Sequence, residues 1–534
     1  MGSFYVTTAI PYVNGEPHLG FALELVQADV LARYHRLRGD DTWFLTGTDE
    51  NSLTNVLAAE QAGLPVRAMV DRNAGVFQAL GRALGIENDD FIRTASDRRH
   101  LDGARAFWEA CVRAGDVYRR PYRGLYCVRC EQFYSPDELV GGLCPDHEVA
   151  PETVEEENYF FRLTRYAEPL ARLLDSRALR IVPEWRHDEV RAFVAAGLAD
   201  FSISRSRARA RGWGIPVPGN PDQVMYVWFD ALTNYVTALG YGGDAGPYER
   251  RWAGNPHRVH VIGKNIVRFH AVYWPAMLLS AGAPAPERLL VHGFLTRGGR
   301  RMSKTLGTGV DPIALAAARG PDAVRYRLLR EVPPTADADY TDESLARAYA
   351  ADLANGVGNL LQRTLGMLWR YRDGVVPPRP EACASPLAVA AGRIAPAFEE
   401  GLGGGWDPRI VLEAVNGLVA AANRRVAASA PWTLARDERS GDADARRRLD
   451  AVLWELAESL RVVAEALRPL LPAAADRMAR QLGVPPAADW TPALAWGGGA
   501  SGARVESPSP LFPRRDGPEG PSPGEDGTTA GSRS

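Results

Sequence analysis

Lysine is almost missing from this 534-residue sequence: among 62 Lys+Arg, only Lys264 and Lys304 are lysines. Most basic positions therefore accept arginine. A surviving lysine is either chance or the mark of a place that needs a compact, mobile ammonium instead of a planar fork. Cysteine is scarce as well, and five residues are too few for a disulfide scaffold in a chain of this length. No apolar run approaches the roughly 18 residues of a membrane-spanning helix. The opening Met1-Gly2-Ser3-Phe4-Tyr5-Val6 lacks the basic-then-apolar layout of a secretory signal, so a cytoplasmic protein with no membrane segment is expected. Nor does one sign of charge dominate. With 62 basic and 65 acidic residues the formal net charge is −3, which excludes a wholly basic nucleic-acid coat but leaves local basic patches open.

What is present is apolar material for several cores, 46% of the residues, over a length that suits three or four domains of about 100–200 residues each. Residues 4–10 form a β-rich run ended by Pro11 and the Asn14-Gly15 turn pair. From Leu19 to Leu37 apolar residues recur at helical spacing until Gly39, and 42–46 reads as a second buried strand ended by Gly47. Strand, helix, strand is a βαβ unit and predicts an α/β fold with a parallel, Rossmann-type sheet. Its first half spans 1–115. A Cys-bearing insertion occupies 116–224. The second half, 225–339, contains further strand patterns at 259–262 and 289–291 around a helical stretch at 266–280. Residues 340–495 are Ala/Leu/Arg-rich and amphipathic, predicting a helical bundle. Within 501–534, 18 of 34 residues are Gly, Pro or Ser, and 496–534 is expected to be a disordered tail.

Three short segments carry chemistry. Pro17-His18-Leu19-Gly20-Phe21 lies where the first strand hands over to the first helix. Backbone N–H groups and the helix dipole attract phosphate there, and Gly20 lets a nucleotide approach. Arg301-Met302-Ser303-Lys304-Thr305 follows Gly298-Gly299, so a mobile basic loop is expected that could neutralise a departing pyrophosphate. The other lysine lies in Gly263-Lys264-Asn265-Ile266, directly after a strand pattern, so both lysines fall at ends or loops of the nucleotide-binding half. A fourth pattern, Cys127-Val128-Arg129-Cys130 and then Cys144-Pro145-Asp146-His147, has the CxxC…CxxH spacing of two chelating knuckles. It predicts one tetrahedral structural Zn²⁺ held by Cys127, Cys130, Cys144 and His147, with no open position for chemistry. Cys111 and Cys383 read as ordinary buried thiols. Arg205, Arg207, Arg209 and Arg211 form an alternating basic strip that could touch phosphates or simply face water.

With these segments in view, the chain resembles the methionyl-tRNA synthetase family of class I aminoacyl-tRNA synthetases. His18-Leu19-Gly20-Phe21 resembles the HIGH signature and Arg301-Met302-Ser303-Lys304-Thr305 the KMSKS signature. Gly47-Thr48-Asp49-Glu50, Tyr226-Val227-Trp228-Phe229-Asp230-Ala231 and Gly263-Lys264-Asn265-Ile266 stand between them in the family's order. The resemblance implies a class I catalytic sheet split by a zinc-bearing connective insertion beside the tRNA acceptor end, then a helical anticodon-binding domain. It implies ATP-dependent attachment of methionine to tRNA(Met) through methionyl-adenylate, with Mg²⁺ accompanying ATP and the chain acting as a monomer. His18, Gly20, Arg301 and Lys304 would be the catalytic groups, and Phe21, Gly263, Asn265, Met302 and Ser303 would also line the ATP site. Ala9, Ile10, Tyr12, Trp228, Ala231, Tyr235, Ile266 and His270 would form the methionine pocket, with Asp49 on the amino group. A thioether suits such an aromatic-rich pocket, and an ammonium needs one carboxylate. Asn359, Arg363 and Trp432 would contact the anticodon by edge hydrogen bonds and stacking.

Three positions depart from the family's motifs. Phe21 replaces the second histidine of HIGH, Asn51 replaces the histidine of Asp-Glu-His-Gly, and Asn265 replaces the aspartate of Gly-Lys-Asp-Ile. Each loss of a preorganised donor would cost about 3 kcal/mol in a transition state. Two readings follow: a methionine–tRNA ligase, or a synthetase-like paralogue with another amino acid or acceptor or with little catalysis.

Overall fold

The computed structural model describes residues 2–128, 131–134, 136–145, 148–302, 309–381 and 385–513, apart from the side chains of residues 132, 133 and 301. Six strands make the central sheet: β1 (Ser3–Thr8), β2 (Asp41–Thr48), β3 (Asp90–Arg93), β4 (Arg180–Val182), β5 (His257–Gly263) and β6 (Arg288–His292). Their order is β3-β2-β1-β5-β6-β4, and every neighbouring pair is parallel. The order reverses between β1 and β5, which opens a crevice at their carboxyl ends where open α/β sheets bind ligands.

Strand β1 is buried on both faces, and its side chains divide between two cores. Phe4 and Val6 pack with the first helix and the C-terminal bundle, while Tyr5 joins Phe107, Phe229 and Trp274 on the opposite face. The helices used below are α1 (Leu19–Leu37), α2 (Leu53–Gln61), α3 (Val66–Ala83), α4 (Val227–Thr237), α5 (Pro321–Glu331), α6 (Asn359–Arg372) and α7 (Pro472–Leu482). Among the described residues no helix is long and apolar enough to cross a membrane.

Two sequence expectations change. The insertion is not wholly separate from the catalytic sheet. It builds its own four-stranded sheet around Val117–Cys127 and Glu152–Phe161, yet its three-residue β4 docks on the edge of the main sheet beside β6. So short a strand carries too little periodicity to be read in isolation. Residues 496–513 are also not a free tail. Gly497 and Gly498 donate their N–H groups to the buried Glu458 carboxylate (2.7 and 2.9 Å). Val505 N–H donates to Gly374 O (2.8 Å), and Leu511 and Phe512 are buried on the bundle. A buried carboxylate needs donors, and a Gly-rich segment supplies unobstructed ones; residues 514–534 lie outside the described residues. The stretch expected to be helical at 266–280 is so, built from a 3₁₀ turn (Lys264–Ile266), a π-helical turn (Phe269–Tyr273) and an α-helix (Trp274–Ser280).

The catalytic sheet and the bundle are joined through α5. Arg325 and Asp29, both 0% exposed, pair at 2.7 Å. The guanidinium also donates to Leu470 O (2.8 Å) and Leu84 O (3.3 Å), and Asp29 accepts from Arg33 (2.7 Å) and Glu87 N–H (2.8 Å). Replacing one partner of such a pair strands the other charge away from water. Arg325→Met is expected to lower unfolding stability by about 3 kcal/mol, the low end for breaking a buried pair, because Arg33 remains. Urea unfolding of the two proteins measures it, and a loss under about 1 kcal/mol would mean that the junction relaxes around the new side chain.

Candidate active site

His18 caps α1 with extended backbone (φ −120°, ψ 173°), and its Nδ1 accepts the Gly20 N–H at 3.1 Å. That bond fixes the tautomer: the proton sits on Nε2, which is left as the donor for an incoming oxygen. A Cβ on residue 20 would lie 2.8 Å from the imidazole Cε1, so the ring position itself requires glycine there. Burial pushes the His18 pKa down to about 4, which keeps the ring neutral at pH 7. Phe21 turns away along the flank of α1. Its ring packs on His18 (4.5 Å) and Phe77 of α3 (5.4 Å) and walls a cavity of about 250 Å³ that extends to Thr46 and Arg82. The residue that replaces the second histidine therefore supports the first one from the side.

Across the crevice, α4 places Trp228, Ala231 and Tyr235 at helical spacing along one face. Trp228 stacks on Phe269 at 3.8 Å with planes 7° apart. The Tyr235 hydroxyl meets His270 Nε2 at 2.7 Å, and His270 Nδ1 faces Ile266 O at 2.9 Å. A carbonyl only accepts, so Nδ1 carries the proton and Nε2 accepts from tyrosine. Behind them, His260 accepts the Trp274 indole N–H and meets Thr7 Oγ1 at 2.7 Å. The wall is thus rigid and neutral: burial lowers His270 to about 4 and raises Tyr235 well above its ordinary value.

Asp49, just beyond the end of β2, is 3% exposed; its carboxylate accepts the Asn51 N–H, while its Oδ1 is buried and unpartnered. The buried Tyr12 hydroxyl, likewise unpartnered, belongs to the residue paired with Asp49 through a parallel bridge. Burial raises the Asp49 pKa well above the carboxylate range, and the nearby charges of Asp230 and Glu131 raise it further. A buried carboxylate with one oxygen left without a partner is suited to receive a cation. Asn51 donates Nδ2–H to Asp230 Oδ2 (2.7 Å) and to Thr94 O (3.3 Å), while Asp230 Oδ1 lies 2.5 Å from His100 Nε2. The second departure from the motif therefore anchors the neighbouring carboxylate.

Sequence reasoning missed Glu24. Its Oε1 accepts the Ala9 N–H (2.7 Å) and its Oε2 lies 2.9 Å from His292 Nε2, tying the end of β1 to the end of β6. A lone acid among the apolar residues of α1 was the available signal. Gly263 ends β5 close to the same histidine, with Asn265 exposed beside it.

The Gly298-Gly299 pair that precedes the expected mobile loop is the tight turn of a hairpin, and most of the loop itself, 301–305, lies outside the described residues. Thr296 pairs with Arg301, both glycines have positive φ (61° and 72°), and the Asp339 carboxylate accepts both of their N–H groups (3.1 and 2.9 Å). Met302 is buried behind it, whereas Ser303, Lys304 and the Arg301 side chain lie outside the described residues. Lys264 is engaged with Asp337 at 2.7 Å over the Phe294 ring. No basic strip exists at 205–211: Arg205 is buried over the Tyr126 and Tyr226 rings, Arg209 pairs with Glu152 and Arg211 with Glu60. A strand period was assumed there, but the strand ends at Ser206. Asn359 opens α6, Arg363 is exposed one turn later, and Trp432 is 52% exposed.

Of the four metal-ligand candidates, Cys127 and Cys144 are buried in a small cluster with Tyr134, and Cys130 and His147 lie outside the described residues. Among the described residues no group of three potential ligands converges. The flanking backbone fits two knuckles. Glu131 and Glu148, each four residues beyond the first cysteine of its pair, both have positive φ (54° and 52°), and Glu148 N–H closes a turn onto Cys144 O (2.8 Å). Two thiols in so small a core suit a metal-closed fold. Cys111 is a buried thiol, and Cys383 lies outside the described residues.

One buried and two partly buried histidines make stability pH-dependent. His18, His35 and His270 are each pushed by burial from an ordinary 6.5 to about 4. Between those values the unfolded chain binds protons that the folded chain refuses, so their contribution is intact above about pH 6.5 and is lost as pH falls toward 4. The thermal midpoint should fall steadily from pH 7 to pH 4.5, and a flat profile over that interval would contradict the burial of these rings.

Comparison with known proteins agrees with this geometry. The family model described as tRNA synthetases class I (M) matches residues 4–153 and 147–365. The methionine–tRNA ligase of Brucella suis is 41% identical over 517 residues, 96% of this chain and 98% of that protein. That of Mycobacterium bovis is 43% identical over 497 residues, 91% and 93%. Among solved structures, Mycobacterium tuberculosis methionyl-tRNA synthetase in complex with methionyl-adenylate superposes with a TM-score of 0.89 at 40% identity, covering 96% of this chain and all of that one. Its free form gives 0.83 at 37% identity. The parallel sheet superposes on that of relatives that match nearly end to end, and the chain belongs to the methionyl-tRNA synthetase family of class I tRNA synthetases.

Proposed function

We propose that the protein is a methionine–tRNA ligase that activates methionine with ATP and transfers it to tRNA(Met). The observation that carries this is the buried Asp49 carboxylate, whose Oδ1 has no partner, in a chain that also packs Trp228, Tyr235 and His270 into a neutral aromatic wall. The methionine ammonium pairs with Asp49, and the thioether lies against Ile10, Trp228, Ala231 and His270. Its carboxylate then attacks the α-phosphorus of ATP, forming the acyl–phosphate bond as the bond to pyrophosphate breaks. No side chain acts as a nucleophile. Catalysis is positioning plus charge neutralisation: His18 Nε2–H and the α1 N-terminus on the phosphates, with Lys304 and Arg301 on the departing pyrophosphate. Mg²⁺ bound to ATP would supply further charge neutralisation on its phosphates, and the Glu24–His292 pair holds the end of β1 to the end of β6. A terminal ribose hydroxyl of tRNA then attacks the acyl carbon and AMP leaves, while Asn359, Arg363 and Trp432 read the anticodon.

The paralogue reading gains no support, because the match to ligases runs through both the catalytic half and the bundle. Phe21 and Asn51, two of the three departures, are integrated by packing and hydrogen bonds. ATP–pyrophosphate exchange dependent on methionine, followed by charging of tRNA(Met), tests the proposal. Exchange without charging, or with another amino acid only, would overturn it.

A structural Zn²⁺ held by Cys127, Cys130, Cys144 and His147 closes the insertion. Elemental analysis is expected to give one zinc per chain, and Cys144→Ser should lower the zinc content and unfold the insertion before the rest, since the metal's binding energy is part of that subdomain's folding energy. A folded wild-type protein with no zinc would contradict the assignment.

A further inference from the structure

The knuckle does not end at its own boundary. Glu131 directly follows Cys130, is 3% exposed and has two separate holds on the catalytic half. Its carboxylate Oε1 accepts the Thr54 N–H at 3.1 Å, with the Leu53 N–H and the Ser52 hydroxyl bonded to the same group, so it caps the N-terminus of α2 from outside. Its backbone carbonyl accepts the Tyr226 hydroxyl.

Each hold leads to one wall of the methionine pocket. On the first side, α2 starts immediately after Asp49-Glu50-Asn51-Ser52, and Asn55 in its first turn donates Nδ2–H to Asp49 O at 3.0 Å. On the second side, Tyr226 is the N-cap residue of α4, the helix that carries Trp228, Ala231 and Tyr235. The Tyr226 ring is fixed by the Arg205 guanidinium 4.3 Å above it and by its N–H on Ile203 O (2.9 Å). One residue at the exit of the knuckle therefore spans the gap between the carboxylate wall and the aromatic wall. The arrangement offers a physical role to a metal that takes no part in the chemistry: closing the knuckle fixes the position of residue 131, and residue 131 fixes the spacing of the two walls.

We propose that Glu131 is a positioning residue that couples the metal knuckle to the methionine pocket, setting the distance between Asp49 and the Trp228 face. This rests on the ligase reading above. It predicts an effect on methionine that spares ATP, because α1, which that reading places on the phosphates, starts on its own His18 cap, and Glu24 and His292 tie β1 to β6 without Glu131.

The experiment uses the full-length, metal-loaded protein with Glu131→Ala, Glu131→Gln and Tyr226→Phe. Methionine and ATP affinities are read separately by titration calorimetry, and zinc by elemental analysis. Glu131→Ala should keep one zinc and bind methionine about tenfold more weakly, the effect of losing one or two hydrogen bonds at a buried helix start, with ATP affinity unchanged. Glu131→Gln, whose amide oxygen still accepts from Thr54, should recover most of that loss. Tyr226→Phe, which removes only a hydroxyl, should weaken methionine binding by about threefold and carries the test if the alanine variant fails to fold. Wild-type methionine affinity in both Glu131→Ala and Tyr226→Phe, or equal loss of methionine and ATP, would overturn the coupling. A wild-type protein that binds ATP but no methionine would instead overturn the ligase reading itself, so the two failures are distinguishable.

Discussion

Asp49→Asn is expected to raise the methionine KM in pyrophosphate exchange by about 100-fold or more, while the KM for ATP stays within about twofold. The substitution keeps the shape of a side chain that is 3% exposed and removes only its charge. In the free protein burial, Asp230 and Glu131 all raise the Asp49 pKa, so the carboxylate is held at a cost that an incoming ammonium relieves. An asparagine amide leaves that ammonium buried without a counter-charge, a loss of about 3 kcal/mol or more for one member of a desolvated pair. The pH dependence should change as well. Wild-type methionine affinity should fall on acidification as Asp49 takes up a proton, whereas that of Asp49→Asn should not follow this titration. A methionine KM within a few-fold of wild type would show that the ammonium is received elsewhere.

His18→Ala should slow methionine-dependent pyrophosphate exchange by about 100- to 1,000-fold, as for the loss of one preorganised donor to a developing charge. It should also lower stability by about 1 kcal/mol, because the same imidazole accepts the Gly20 N–H at the start of α1. His18→Asn separates the two roles. Its side-chain oxygen can accept from Gly20 while its amide donates forward, so stability should return to wild type and the rate should recover in part. With its pKa pushed down to about 4, His18 stays neutral at neutral pH, and no inflection from it is expected in the rate above pH 6. Measuring kcat and urea midpoints on the same preparations decides the matter. A rate loss that tracks stability loss across both variants would make His18 a structural cap and nothing more.

The residues of the site were legible in the sequence wherever the chemistry needs a local pattern. The His18–Gly20 pair adjoins a helix start, and the CxxC…CxxH spacing suits two knuckles, whereas the grouping of Trp228, Ala231 and Tyr235 was implied by the family resemblance and is met by one face of α4. The bounds of α1 follow from its period and from Gly39, whose φ of 85° stops the helix. Composition by itself excluded a disulfide scaffold and a wholly basic coat. Long-range pairing was not legible, because it is fixed by which surfaces meet after folding. Glu24 meets His292, separated by 268 residues, Arg325 meets Asp29, and Glu131 meets Thr54 only because the parallel sheet brings these segments to common places. The Gly/Pro/Ser content of 496–513 suggested disorder, yet the buried Glu458 carboxylate captures its N–H groups, and unmet hydrogen-bonding demand outweighs low propensity. The meaning of two of the three departures was decided in the same way. Their one-dimensional neighbours made Phe21 and Asn51 look like losses, while the fold supplies Phe77 to one and Asp230 to the other. Sequence determined which groups are available and at what local spacing; tertiary structure decided which of them face each other, because burial and charge act through space and not along the chain.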